Sequence, residues 1–168
     1  MDIRPAAQAD LPEIAAIYAR HVLHGTGTFE EAPPSVEAMT ARFDAARDAG
    51  WAWLAACDAT GVIGYAGYAQ FRGRSAYSRT AEDSIYVRED VRGQGVGKAL
   101  GARLLTEAAG AGFRQMIAVI GDSENVGSIG VHASLGFRKV GTLRAVGFKF
   151  GRWLDSVYMQ RALGPDDA

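Results

Sequence analysis

The sequence predicts one α/β domain (α+β mixed) built on a mixed sheet, and three observations lead there. Residues 84–120 read strand, glycine-rich corner, helix, apolar strand, which is a parallel crossover. Residues 51–70 read as two strands joined by Asp58-Ala-Thr-Gly61, a hairpin signal. A chain of 168 residues with 48% hydrophobic content fills one core and is short for two. No repeat, low-complexity stretch or linker divides it, so residues 1–168 are expected to form a single domain.

The elements follow from local pattern. Ile3 to Pro5 suits a first strand. Asp10 offers an N-cap, Pro12 fits a first turn, and Glu13 stands where a capping box places an acid. Leu11, Ile14, Ile17 and Tyr18 then line one helical face until Gly25. The following loop carries Phe29, Glu30 and Glu31. Ser35 caps a second helix with Val36, Met39, Phe43 and Ala46 on its buried side, and Gly50 stops it.

Trp51–Cys57 and Val62–Gln70 are the hairpin strands. A basic loop bearing Arg72, Arg74, Tyr77 and Arg79 leads to a central strand ending at Val87. Val96, Leu100 and Leu104 recur every four residues on a helix that ends near Gly110–Gly112. Gln115–Ile120 is almost wholly apolar, as suits a strand covered on both faces. Val126–Leu135 forms a short helix closed by Gly136. Phe137–Leu143 and Ser156–Met159 are expected as the last strands, separated by a loop rich in Gly, Phe and Trp.

The corner Arg92-Gly93-Gln94-Gly95-Val96-Gly97-Lys98 holds the chemical signal. Its glycines let successive N–H groups converge at a helix N-terminus, where the dipole also favours an anion. Arg92 and Lys98 add full charges. A Walker loop is excluded, because Arg92 stands where glycine is needed and Ala99 where Ser or Thr is needed. A dinucleotide fingerprint fails in both frames, on Lys98 and on Leu100.

Composition narrows the partners. Eighteen basic against nineteen acidic residues give a net charge of −1, which supplies no electrostatic reason for nucleic acid or an anionic membrane. No apolar run approaches the roughly 20 residues of a membrane span, and the N-terminus has no signal-peptide pattern. The single cysteine, Cys57, makes no internal disulfide. These features predict a cytoplasmic protein. His21 and His24 share a helix end without a third ligand nearby, so charge complement to the helix is expected there and no metal.

Arg-x-x-Gly-x-Gly at Arg92, Gly95 and Gly97 resembles the acyl-CoA pyrophosphate loop of the GCN5-related N-acetyltransferase (GNAT) superfamily. Asn125-x-x-Ser128-x-x-Val131-His132, followed by Gly136-Phe137, resembles its second signature. Arg4-Pro-Ala, Thr80-Ala-Glu82, Val119-Ile120-Gly121 and Gly147-Phe-Lys-Phe-Gly-Arg-Trp-Leu-Asp155 resemble the phosphinothricin and methionine sulfoximine/sulfone N-acetyltransferases. The likeness runs from about residue 3 to 161.

The resemblance implies a GNAT fold: a central, mostly antiparallel mixed sheet flanked by helices, with splayed parallel central strands. It implies acetyl-CoA as co-substrate, direct transfer to the α-amino group of a small amino-acid-like molecule in a ternary complex, and a homodimer. The diphosphate would lie on the N–H groups of Gln94, Gly95, Val96, Gly97 and Lys98, with Arg92 and Gly93 beside it, and the pantetheine arm would pair with Ile85, Tyr86 and Val87 like an added strand. Asn125 and Ser128 would hold the arm further along, or Asn125 would simply cap its helix. Glu82 matches the general base of these enzymes, the alternative being a carboxylate paired with an arginine. His132 replaces the tyrosine acid of many relatives. It is either an acid/base or a ring satisfied by a carbonyl. Phe29, Arg72, Arg74, Tyr77, Val119 and Gly121 would line the amine site, with arginine suited to an acidic substrate group. Acetylation of another amine, such as a polyamine, aminoglycoside or protein N-terminus, and a silent acyl-CoA-binding module remain alternatives.

Overall fold

A computed structural model describes residues 1–164; the last four residues of the expected domain, 165–168, lie outside the described residues. Seven strands form one sheet: β1 (Asp2–Pro5), β2 (Trp53–Asp58), β3 (Gly61–Gln70), β4 (Thr80–Val87), β5 (Gln115–Gly121), β6 (Arg138–Lys149) and β7 (Arg152–Ala162). Their order is β1-β2-β3-β4-β5-β7-β6. Every neighbouring pair is antiparallel except β4 and β5. The sheet is therefore mixed and mostly antiparallel, as expected.

Helices cover both faces. On one, Leu11, Ile14 and Tyr18 of α1 (Leu11–His24) and Met39 and Phe43 of α2 (Val36–Asp48) pack on Ala55, Val62 and Tyr65. On the other, Leu100 and Leu104 of α3 (Val96–Gly110) pack on Met116, Ala118, Ile120, Val157 and Met159. The short α4 (Val126–Ser134) follows β5.

Three local expectations need correction. Asp10 starts α1 but makes no side-chain cap to it. Its carboxylate instead takes both Arg4 Nη1 and Nη2, at 2.7 and 2.8 Å, and the Ala7 amide. The bidentate ion pair outcompetes a single capping bond. Glu13 likewise skips the capping box and accepts from the Val62 amide at 2.8 Å. Val36 is 40% exposed, because it opens α2 before the helix reaches the sheet; Met39, Phe43 and Ala46 are buried as predicted.

The largest correction is the supposed loop between residues 144 and 155. It is strand on both sides, and β6 and β7 form one long hairpin turning at Phe150-Gly151. Both turn residues have positive φ, 53° and 73°, the twist that two-residue hairpins favour. A bulge with Ala145 at φ 51° shifts the register between Leu143 and Gly147. Beyond it, Gly147 and Lys149 point inward and Phe148 and Phe150 outward.

β4 and β5 pair only at Thr80–Gln115, Ala81–Met116 and Glu82–Ile117. They then part. β4 continues to Val87 on β3, and β5 continues to Gly121 on β7. The divergence leaves a wedge whose apex is Glu82.

Candidate active site

Backbone direction decides what the wedge offers. The Arg88 amide donates to Ile63 O at 2.9 Å, and the Tyr86 carbonyl lies over Gly64 of β3. Backbone groups alternate sides along a strand, so Ile85 and Val87 aim theirs at the edge β5 has left. Tyr86 spends its backbone on β3, and its half-buried ring packs against Tyr18 and Tyr65. Of the three residues expected to line the cofactor arm, Ile85 and Val87 face the strand edge, and at Val87 only the N–H is left to it because the carbonyl accepts from His21. His21 Nε2 donates to Val87 O at 2.9 Å. Burial lowers the imidazole's pKa by more than the bond to Val87 raises it, and the nearby Arg92 charge lowers it further, so His21 serves as a neutral donor rather than as the helix-end charge the sequence suggested.

At the corner, Gly93 and Gly95 take φ of 76° and 83°. Gly95 is the N-cap of α3 and supplies no capping side chain. The first helical N–H groups therefore face outward, and nothing lies within 4 Å of where a Cβ on Gly93 or Gly95 would sit. Arg92, Gln94 and Lys98 are exposed around this cradle, whereas the Val96 side chain is buried in the core and leaves only its backbone to the corner. A cavity of about 430 Å³ adjoins it, lined by Arg20, His21, Val87, Arg88 and Arg92 among others.

Glu82 lies on the α1–α2 face of β4, with Ser84 and Tyr86 at alternate positions. Ser84 and the neighbouring Ala69 are exposed, so this face is open around the carboxylate. Burial raises the Glu82 pKa; the Arg72 charge lowers it and Asp83 raises it again. Across the apex, Ile117, Val119 and Gly121 share that face, because Met116, Ala118 and Ile120 fill the opposite core. Tyr158, opposite Val119 on β7, completes the floor. The sequence placed Tyr158 on an expected strand, but the pairing of that strand with β5 has no local signal, so it gave the residue no role in the site.

The basic loop delivers one arginine. Arg72 stacks over the Phe71 ring at 4.2 Å, and Gln70 Nε2 bonds the carbonyls of Arg72 and Arg74 at 2.5 and 3.0 Å. Tyr77 meets Phe71 edge-on. The Arg72 charge reaches Glu82; Arg74 and Tyr77 are exposed further out in the loop.

The second signature is used largely within the protein. Asn125 Oδ1 accepts from the Ser128 amide at 3.2 Å, which is the helix-cap reading. His132 is buried; its Nδ1 lies 2.8 Å from Ser128 O and its Nε2 lies 3.2 Å from Asp83 Oδ2. Both neighbours accept hydrogen bonds, which favours the doubly protonated ring. Burial alone would push its pKa down, but Asp83 and the Ser128 carbonyl outweigh that and hold it above the ordinary value. Neither ring nitrogen is left over for a leaving thiolate. Among the described residues no three His, Cys, Asp or Glu side chains cluster to hold a metal.

The acetyltransferase (GNAT) domain family matches residues 3–158. The chain belongs to the GNAT acetyltransferase family. It is 48% identical over 98% of its length to phosphinothricin N-acetyltransferase of Alcaligenes faecalis, covering 84% of that protein. It is 44% identical over 97% of its length to the L-methionine sulfoximine/L-methionine sulfone acetyltransferase of Pseudomonas paraeruginosa, covering 95% of that protein. A crystal structure of a GNAT superfamily phosphinothricin acetyltransferase from Sinorhizobium meliloti in complex with AcCoA superposes with a TM-score of 0.94 at 47% identity. That match covers 97% of this chain and 88% of the other. The GNAT wedge and glycine corner described above are thus those of an N-acetyltransferase.

Proposed function

We propose that this GNAT enzyme transfers acetyl from acetyl-CoA to the α-amino group of a small amino-acid-like substrate such as phosphinothricin, methionine sulfoximine or methionine sulfone. The observation that carries it is Glu82 at the apex of the wedge, its pKa raised by burial, beside the open strand edge of Ile85 and Val87. The names of the similar proteins support the substrate class.

The residues fit the cofactor. The cradle from Arg92 to Lys98 suits a diphosphate, and the edge formed by the Ile85 backbone and the Val87 N–H suits the amides of a pantetheine arm. Acetyl-CoA, when bound, supplies an acyl thioester as electrophile. A free α-amine is mostly or partly protonated near neutral pH, so a base must remove a proton before attack. Glu82 does this, directly or through one water. Arg72 binds the acidic group of the substrate, and Val119, Gly121 and Phe29 enclose its side chain. The Val87 N–H polarises the reacting carbonyl. His132 positions β4 against α4 from within the protein.

We further propose a homodimer formed through the β6–β7 hairpin. Val140, Leu143, Val146, Phe148, Phe150 and Trp153 are each 49–65% exposed on it, a patch of the kind that marks an interface. A cytoplasmic location, with no nucleic-acid or membrane partner, agrees with the near-neutral charge; no described helix is long and apolar enough to cross a membrane.

A thiol-release assay with acetyl-CoA against amino acids, phosphinothricin, methionine sulfone, methionine sulfoximine and polyamines tests the proposal. Turnover with the amino-acid analogues is expected; turnover with polyamines alone would overturn it.

A further inference from the structure

We propose that Gly147 and Lys149 of β6 are specificity-determining residues that clamp the Phe29 ring as the end wall of the amine pocket. The proposal rests on acetyl transfer to a small amino acid and names what limits that acceptor's side chain.

The loop from Gly25 to Glu31 bridges the open end of the wedge on the Glu82 face. Toward β4, Thr28 Oγ1 lies 2.9 Å from the Tyr18 hydroxyl, and the Tyr18 ring meets Tyr86 edge-on at 4.9 Å. Toward β5, Thr26 Oγ1 donates to Asp122 Oδ2 at 2.8 Å. Phe29 is carried between these anchors.

Two glycines make room for its ring. A Cβ on Gly121 would approach Phe29 Cε1 to 2.9 Å, and one on Gly147 would approach Cδ2 to 2.7 Å. Neither wall of the slot has space for a methyl group. Phe29 is nevertheless 38% exposed, so its packing against the two glycines leaves part of the residue open.

Lys149 fixes the loop that carries the ring. It is 3% exposed, and Nζ donates to Gly25 O at 2.9 Å and to Thr28 O at 2.8 Å. Burial lowers its pKa, while Glu31 and Glu30 raise it. Its bonded partners are loop carbonyls rather than a carboxylate. A buried amine held this way is expensive unless both bonds are kept, so the loop and β6 move as one body. A substrate with its amine at Glu82 and its side chain running along Val119 toward Gly121 ends on Phe29. Short polar side chains fit, and aromatic ones collide with the ring.

The test is a double-mutant cycle with steady-state kinetics for both substrates. Gly147→Ala is expected to raise the acceptor KM at least about tenfold, the order seen for a methyl-sized change in a pocket, while the acetyl-CoA KM stays within about twofold. In a Phe29→Ala background the same substitution is expected to do little, because the ring it displaces is gone. Phe29→Ala alone is expected to admit bulkier amino acids such as phenylalanine. Lys149→Met is expected to reproduce the acceptor-specific rise, and it carries the test with Phe29→Ala if Gly147→Ala does not fold. An active Gly147→Ala enzyme with an unchanged acceptor KM, or an equal effect with and without Phe29, overturns the wall. So does a Phe29→Ala enzyme with an unaltered acceptor range. A wild-type enzyme inert toward every amino acid would instead overturn the activity on which the wall depends.

Discussion

Asp83 Oδ2 meets His132 Nε2 at 3.2 Å, joining the central strand to α4 where both side chains are about 95% shielded from water. With the Ser128 carbonyl on the other nitrogen, the ring lies between two acceptors, which favours its protonated form. Glu82, one residue earlier, points to the opposite face. Adjacent carboxylates thus serve different ends: one ties the strand down, the other faces the cleft.

The pair gives a pH-dependent stability with a definite sign. The folded pKa of His132 lies above its ordinary value of about 6.5. Its stabilisation is therefore complete below that value and is lost as pH rises through the folded pKa. Asp83→Asn should cost about 3–5 kcal/mol at pH 6, the range for breaking a buried pair, and should flatten this trend. Denaturant melts of both proteins at pH 6 and pH 9 check it. Equal pH trends would remove the ion pair from the account.

Glu82→Gln should lower kcat/KM for the amine by about 10²–10⁴-fold, as expected for loss of a general base. Because burial raises the carboxyl pKa, wild-type kcat/KM should fall on the acid side above the ordinary glutamate range of about 4.3. The variant should lose that limb. A drop below about tenfold across pH 6–9 would show that another group takes the proton.

Gly95→Ala places a Cβ in open space but at φ 83°. The strain of a left-handed residue is about 1–2 kcal/mol, and it is relieved by reshaping the corner. Calorimetry with CoA should show weakened binding, with the amine KM little changed. Undiminished CoA affinity would place the diphosphate elsewhere.

Arg72→Gln should raise the KM for acidic amino-acid analogues about tenfold or more, since a charge-assisted contact is worth about 1.5–3 kcal/mol. Arg74→Gln should have the smaller effect, because Arg72 alone has its charge felt at Glu82. The reverse ranking would reassign the anion site.

Phe148→Glu or Trp153→Glu, both on the outer face of the β6–β7 hairpin, should yield monomers by light scattering. A wild-type protein already monomeric at micromolar concentration would remove the dimer.

Much of the fold was legible because its signals are local. Val96, Leu100 and Leu104 announce α3 by spacing alone, and all three are buried. Gly93, Gly95 and Gly97 announce the corner because the first two hold left-handed φ. The β6–β7 hairpin was not legible: Phe150-Gly151 is an unusual turn pair, and a bulge at Ala145 breaks the strand alternation. The competing partners of Asp10 and Glu13 were hidden for a related reason. Capping is a local rule, and Arg4 and the Val62 amide reach those carboxylates through the tertiary fold.

By itself the sequence determined the crossover and the glycine-rich corner, since each of their elements is set by the pattern of neighbouring residues, and its family resemblance singled out Glu82 as a candidate. The tertiary structure alone decided that His132 is occupied by Asp83, that Ile85 and the Val87 N–H rather than Tyr86 face the open edge, and that Lys149 grips the loop of Phe29. Those relations join segments from about twenty to more than a hundred residues apart. They exist because the fold brings distant strands, helices and loops together, and no spacing along the chain records those meetings.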